Sequence, residues 1–142
     1  MKINRSPWFT RIIIAAGFTA GAIAVSSAAD VAVKLSGDQE VPAVSTTATG
    51  TGTIVIKPDK SVSGVIKTKG IAGTMAHVHL GEPGKNGPPI ITFDKTADDT
   101  WSVPKGAMLT DDQYDSFKKG NLYVNVHSDA HKGGEIRTQL KP

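Results

Sequence analysis

All four histidines of this 142-residue chain fall in two short segments whose spacing suggests metal chemistry. In Ala76-His77-Val78-His79-Leu80-Gly81, the apolar residues Ala76, Val78 and Leu80 alternate with His77 and His79. In an extended strand, residues i and i+2 lie on one face, so both imidazoles leave the face opposite the apolar one. The second segment, Tyr123-Val124-Asn125-Val126-His127-Ser128-Asp129-Ala130-His131, alternates in the same way and sends His127 outward with Tyr123 and Asn125. Neutral imidazoles held side by side on rigid strands form the greater part of a metal site. Met75 shares the phase of His77 and His79 and adds a soft thioether. His131, beside the Lys132-Gly133-Gly134 turn, is a loop residue able to swing inward. The expected ligands are therefore His77, His79 and His127, with His131 and Met75 as subsidiary ones.

The ligand types narrow the ion. Three or four imidazoles without thiolate suit copper or zinc, and a neighbouring thioether favours Cu(I). Copper leads because Cu(II) outcompetes zinc at nitrogen sites of flexible geometry, with zinc as the alternative. Calcium and magnesium require oxygen ligands, and no acidic loop here has an EF-hand pattern. Imidazole binds metal only when deprotonated, and its unperturbed pKa is near 6.5, so such a site is expected to lose its ion on going from about pH 7.5 to 5.

Other chemistries find little support. The chain contains no cysteine, which excludes disulfides, thiolate catalysis and cysteine-based zinc sites. No serine occupies a Gly-x-Ser-x-Gly elbow, and Gly50-Thr51-Gly52 lies inside a strand pattern instead of at a strand-to-helix turn. Asp98-Asp99 and Asp111-Asp112 read as solvated loop and helix-start charges.

The elements that must position the histidines follow an export signal. Residues 1–29 have the form of a secretory signal peptide: Lys2, Arg5 and Arg11, an apolar run from Ile12 to Val25, then Ser27-Ala28-Ala29 before Asp30. The run of about 14 residues is short for a bilayer span, which needs roughly 20. A periplasmic or secreted mature chain is expected, free of membrane. Three of the 16 basic residues lie in this segment, leaving 13 basic against 13 acidic residues. Without clustered positive charge, a nucleic-acid surface is not expected.

Residues 30–142 form one domain rich in Val, Ile, Thr and Gly. Strands are expected at Val31–Ser36, Thr49–Lys57, Ser61–Lys69, the His77/His79 segment, Ile90–Phe93, Trp101–Val103, Leu122–His127 and Glu135–Leu140. Pro58-Asp59-Lys60 turns the second into the third, and Gly37 through Pro42 breaks the first at an edge or bulge. One helix is signalled by Thr110 and Gln113 as a capping box, a Leu109–Tyr114 staple and Gly120 as terminator. Short strands at this spacing with one small helix argue for an antiparallel β-sandwich or barrel. In the last two strands Leu122, Val124, Val126, Ile136 and Leu140 face the core, which turns Glu135, Arg137 and Gln139 outward with His127.

Three blocks together resemble the CHRD domain, the module named from chordin and found in exported bacterial proteins. They are Leu35-Ser36-Gly37 with Glu40-Val41-Pro42; Ala76 through Gly81 with Gly84 and Asn86-Gly87-Pro88; and Gly120 through His127 to Gly134-Glu135-Ile136-Arg137. Thr138 departs from the glycine usual after the arginine, and His131 is outside the common pattern. The resemblance implies an immunoglobulin-like β-barrel shared with Cu,Zn superoxide dismutase, whose copper-binding strand the His77/His79 strand resembles. The zinc loop, bridging histidine and disulfide of the dismutase have no counterpart here. The leading expectation is an exported, non-catalytic copper-binding protein for copper tolerance, storage or delivery. The alternatives are an envelope adhesion or structural module that binds a protein or glycan, and superoxide dismutation at a lone copper.

Overall fold

The computed structural model describes residues 27–142, so the expected signal peptide lies outside them except for its last three residues. Nine strands form one fully antiparallel sheet: β1 (Ala29–Ser36), β2 (Thr49–Ile56), β3 (Val62–Lys69), β4 (Gly73–Leu80), β5 (Pro89–Thr92), β6 (Asp94–Ala97), β7 (Thr100–Ser102), β8 (Leu122–Ser128) and β9 (Ile136–Leu140). Their spatial order is β5-β4-β8-β9-β1-β2-β3-β7-β6. The two edge strands, β5 and β6, are joined through Phe93 alone, whose N–H donates to the Ala76 carbonyl at 2.9 Å. The sheet thus rolls into a nearly closed barrel, which leaves little unpaired edge.

Alternation explains the roll. On β1, Val31, Val33 and Leu35 are buried while Asp30, Ala32 and Lys34 are exposed. Ile54 and Ile56, Val62 and Ile66, Ala76 and Val78, Leu122, Val124 and Val126, and Ile136 and Leu140 fill the interior with Phe93 and Trp101. All belong to one hydrophobic cluster, the favourable burial term of the fold.

Helix α1 (Asp111–Lys118) begins as expected. Thr110 Oγ1 accepts the Gln113 N–H at 3.2 Å, and Gln113 Oε1 accepts the Thr110 N–H at 2.9 Å. Leu109 and Phe117 anchor it in the core, and Gly120 leaves it at φ 75°. The segment after β1 differs from a simple bulge: Gly37–Gln39 forms a short 3₁₀ turn that brings Glu40 into a buried position. Strand β6 was not expected. Its four residues are all exposed, so no apolar alternation marks it, and it exists by pairing with β7 at the sheet edge. Among the described residues no helix is long and apolar enough to cross a membrane.

Candidate metal centre

Register places the histidines. Strand β8 lies between β4 and β9. Opposite residues are Met75 and His127, His77 and Asn125, and His79 and Tyr123 across β4–β8, then Asn125 and Arg137, and Tyr123 and Gln139 across β8–β9. Directly opposite residues share a face. A polar field therefore lies behind the apolar interior, made by the residues that alternate with Ala76, Val78, Val124 and Val126. His77, His79 and His127 meet in it, with one candidate ligand atom from each all within 4.8 Å of one another.

That face is not the open surface that alternation alone predicts. His79 is 7% exposed, His127 6% and Arg137 2%, whereas His77 is half-buried. The covering comes from two loops, residues 81–88 and 129–135. In the first, Leu80 N–H donates to Pro88 O at 3.0 Å and Gly81 N–H to Asn121 O at 2.9 Å. Gly87 is required here because a Cβ would fall 1.7 Å from the Leu80 carbonyl oxygen. The second loop is closed by His131 N–H on Ser128 O at 3.2 Å and Gly134 N–H on His131 O at 3.0 Å. Gly134, at φ 126°, leaves no room for a side chain: a Cβ would sit 2.4 Å from Glu40 Oε1 and 2.5 Å from Asn125 Nδ2.

These loops also set the ring tautomers. His79 Nδ1 lies 2.8 Å from the Gly87 carbonyl and His127 Nδ1 2.9 Å from the Lys132 carbonyl. A carbonyl only accepts, so each Nδ1 carries a proton and each Nε2 presents a lone pair. Backbone carbonyls orient metal-ligating histidines in this manner. His79 Nε2 is buried without a hydrogen-bond partner among the described residues, a costly arrangement for a polar atom unless another group takes it up. His77 Nδ1 stands 3.0 Å from His127 Nε2 and donates its proton to that lone pair. With the His77 proton moved to its own Nε2, three lone pairs become available to one ion: His77 Nδ1, His79 Nε2 and His127 Nε2. Bonds of about 2.0–2.1 Å hold ligand nitrogens no more than roughly 4 Å apart. The group, whose ligand atoms all lie within 4.8 Å of one another, is therefore slightly wider than one bound ion requires. The donor set is three neutral imidazoles with no carboxylate or thiolate, which fits copper or zinc.

Burial tunes the ring basicities. Desolvation, reinforced by His127 and His79, pushes the His77 imidazole down to about 4. Burial also holds His79 below its ordinary value, against the opposing pull of the Gly87 carbonyl. The expected release of metal by pH 5 rested on unperturbed imidazoles. His77 and His79 are instead kept neutral by their surroundings, so proton competition at these two rings moves to lower pH.

Of the subsidiary ligands, His131 is not in the group. The turn after Ser128 directs it to a cleft of about 310 Å³ with Glu40, Val41, Pro42 and Asn86. Met75 is 48% exposed opposite His127, at the rim of the site. The residues that support the ligands are not themselves of ligand type. Tyr123 stacks on His79 with ring centroids 4.7 Å apart, and its hydroxyl accepts the Gly87 N–H at 3.1 Å. Arg137 lies over Tyr123, its guanidinium carbon 3.4 Å from the ring centroid. Gln139 holds the Gly81 and Gly120 carbonyls at 2.8 Å each. The outward phase of Tyr123, Arg137 and Gln139 was the available signal; their contacts with the loops were not legible.

No curated protein and no solved structure matches the chain. The CHRD domain family model matches residues 31–140, from β1 through β9 and so including all three clustered histidines. The chain belongs to the CHRD domain family.

Proposed function

We propose that this protein is an exported, non-catalytic metal-binding protein whose ion is copper, serving copper tolerance, storage or delivery. The observation that carries the reading is the convergence of His77, His79 and His127, with the unpartnered His79 Nε2 and two rings set by backbone carbonyls. The leader-like residues 1–29 support export. Three imidazoles suffice for copper, whereas structural zinc sites are almost always four-coordinate, which makes zinc the second choice. For delivery to an envelope partner, ion exchange would take place at the rim, where His77 is half-buried and Met75 exposed.

The test is titration of the mature domain with Cu(II), and with Cu(I) under anaerobic conditions, against competing chelators. Wild type should outcompete the His77→Ala/His79→Ala double variant by at least a hundredfold in affinity. Equal affinities in folded samples would overturn the assignment.

A further inference from the structure

We propose that Arg137 makes this centre select Cu(I) over Cu(II), an inference that rests on the copper reading above. Arg137 is among the largest fully buried side chains of the molecule. Its hydrogen-bond acceptors are all neutral: Asn86 Oδ1 at 3.1 Å, the Lys85 carbonyl at 2.8 Å and Gln139 Oε1 at 3.3 Å. Among the described residues no carboxylate forms a salt bridge with it. A guanidinium does not deprotonate in proteins, so a buried positive charge persists here without a counter-ion in contact.

That charge lies close to the ligands. The guanidinium carbon is 3.4 Å from the Tyr123 ring centroid, and Tyr123 is stacked at 4.7 Å and 7° on His79. One aromatic ring therefore separates the cation from a ligand, in a buried site where charges interact more strongly than in water. The carboxyl that acts on Arg137 most directly is that of Glu40, which burial pushes up to about 7, so it compensates the charge only in part at neutral pH. The ligands themselves contribute no negative charge. A fixed cation repels a divalent ion twice as strongly as a monovalent one at the same position. Both features favour Cu(I).

The experiment compares Cu(I) and Cu(II) affinities of wild type, Arg137→Gln and Asn86→Asp at pH 7, with chelator competition for each oxidation state. Asn86→Asp keeps the size of an exposed loop residue and puts a carboxylate against the guanidinium; it gives up the Asn86 Nδ2 donation to the Val41 carbonyl at 2.7 Å but neutralises the charge without emptying the site. In both variants the ratio of Cu(I) to Cu(II) affinity should fall at least tenfold, about 59 mV in the potential of the bound one-electron couple. A folded variant that loses both affinities equally, with the ratio unchanged, would show that Arg137 only clamps the loop, and would overturn the proposal. If Arg137→Gln does not fold, Asn86→Asp decides by the same criterion. Failure of wild type to bind either ion would instead overturn the copper reading and this inference with it.

Discussion

His127→Ala should remove nearly all of the thermal stabilisation that copper confers on this protein, whereas His131→Ala should remove almost none. An ion that binds only the folded chain stabilises it by mass action, about 4 kcal/mol at a thousandfold excess over Kd. His127 supplies Nε2 to the cluster, and its partner His77 Nδ1 already occupies the position from which both would ligate. His131 faces a different cleft. The quantity to compare is the copper-induced increment in Tm for each variant, because loss of the buried His127 ring also lowers the metal-free Tm. In wild type the increment should shrink as the pH falls and be gone as the pH approaches 4, where His77 also takes up a proton. An increment that survives His127→Ala, or one that is undiminished at pH 4, would mean that the ion sits elsewhere.

Glu40→Gln should stabilise the metal-free protein above pH 7 by about 2 kcal/mol and expose a steeper loss of stability in acid. Glu40 is buried beside Gly134 with Oε1 unpartnered, and its carboxyl is raised from 4.5 to about 7. Between those values the folded chain keeps a proton that the unfolded chain has released. Stability from this group is thus complete below 4.5 and is lost as the pH rises through 7. His77 acts in the opposite sense: its imidazole is lowered from 6.5 to about 4, so its contribution is complete above 6.5 and is lost as the pH falls toward 4. His79 shifts in the same direction as His77. The full Glu40 shift corresponds to about 3 kcal/mol, reduced to about 2 by solvent screening. Metal-free wild type should therefore lose stability less steeply than Glu40→Gln as the pH falls from 6.5 to 4.5, because Glu40 opposes His77 and His79 there. Urea unfolding across pH checks this; identical pH profiles for wild type and Glu40→Gln would refute it.

Most of the barrel was legible because its strands are half-buried, and a half-buried strand writes its geometry into alternation. The strands now numbered β1, β2, β3, β4 and β8 could be located to within a few residues in this way, and the phase of His77, His79 and His127 came with them. Strand β6 was invisible because both of its faces are exposed, so pairing with β7 and the reach of Lys95 to the Gly73 carbonyl hold it without any apolar alternation. The covering of the polar face was invisible for a different reason. Alternation states which residues avoid the apolar interior, but not whether loops return to cover them. Gly87 and Lys132 act through carbonyl groups that every residue carries, and Glu40 reaches the buried layer through a 3₁₀ turn that has no periodic signature. Long-range contacts of this kind, such as Arg137 with Lys85 and Asn86, depend on tertiary approach and leave no local pattern.

The most direct test of the three-histidine centre is the imidazole nitrogen spectrum of ¹⁵N-histidine-labelled protein, recorded before and after one equivalent of Cu(I). Cu(I) is diamagnetic, so each ring nitrogen can be followed separately. Binding should shift His77 Nδ1, His79 Nε2 and His127 Nε2, and leave His79 Nδ1 and His127 Nδ1 as protonated nitrogens on their carbonyls. Both nitrogens of His131 should keep their metal-free positions. Coordination shifts on His131, or an unshifted His79 Nε2 in the loaded protein, would contradict the site.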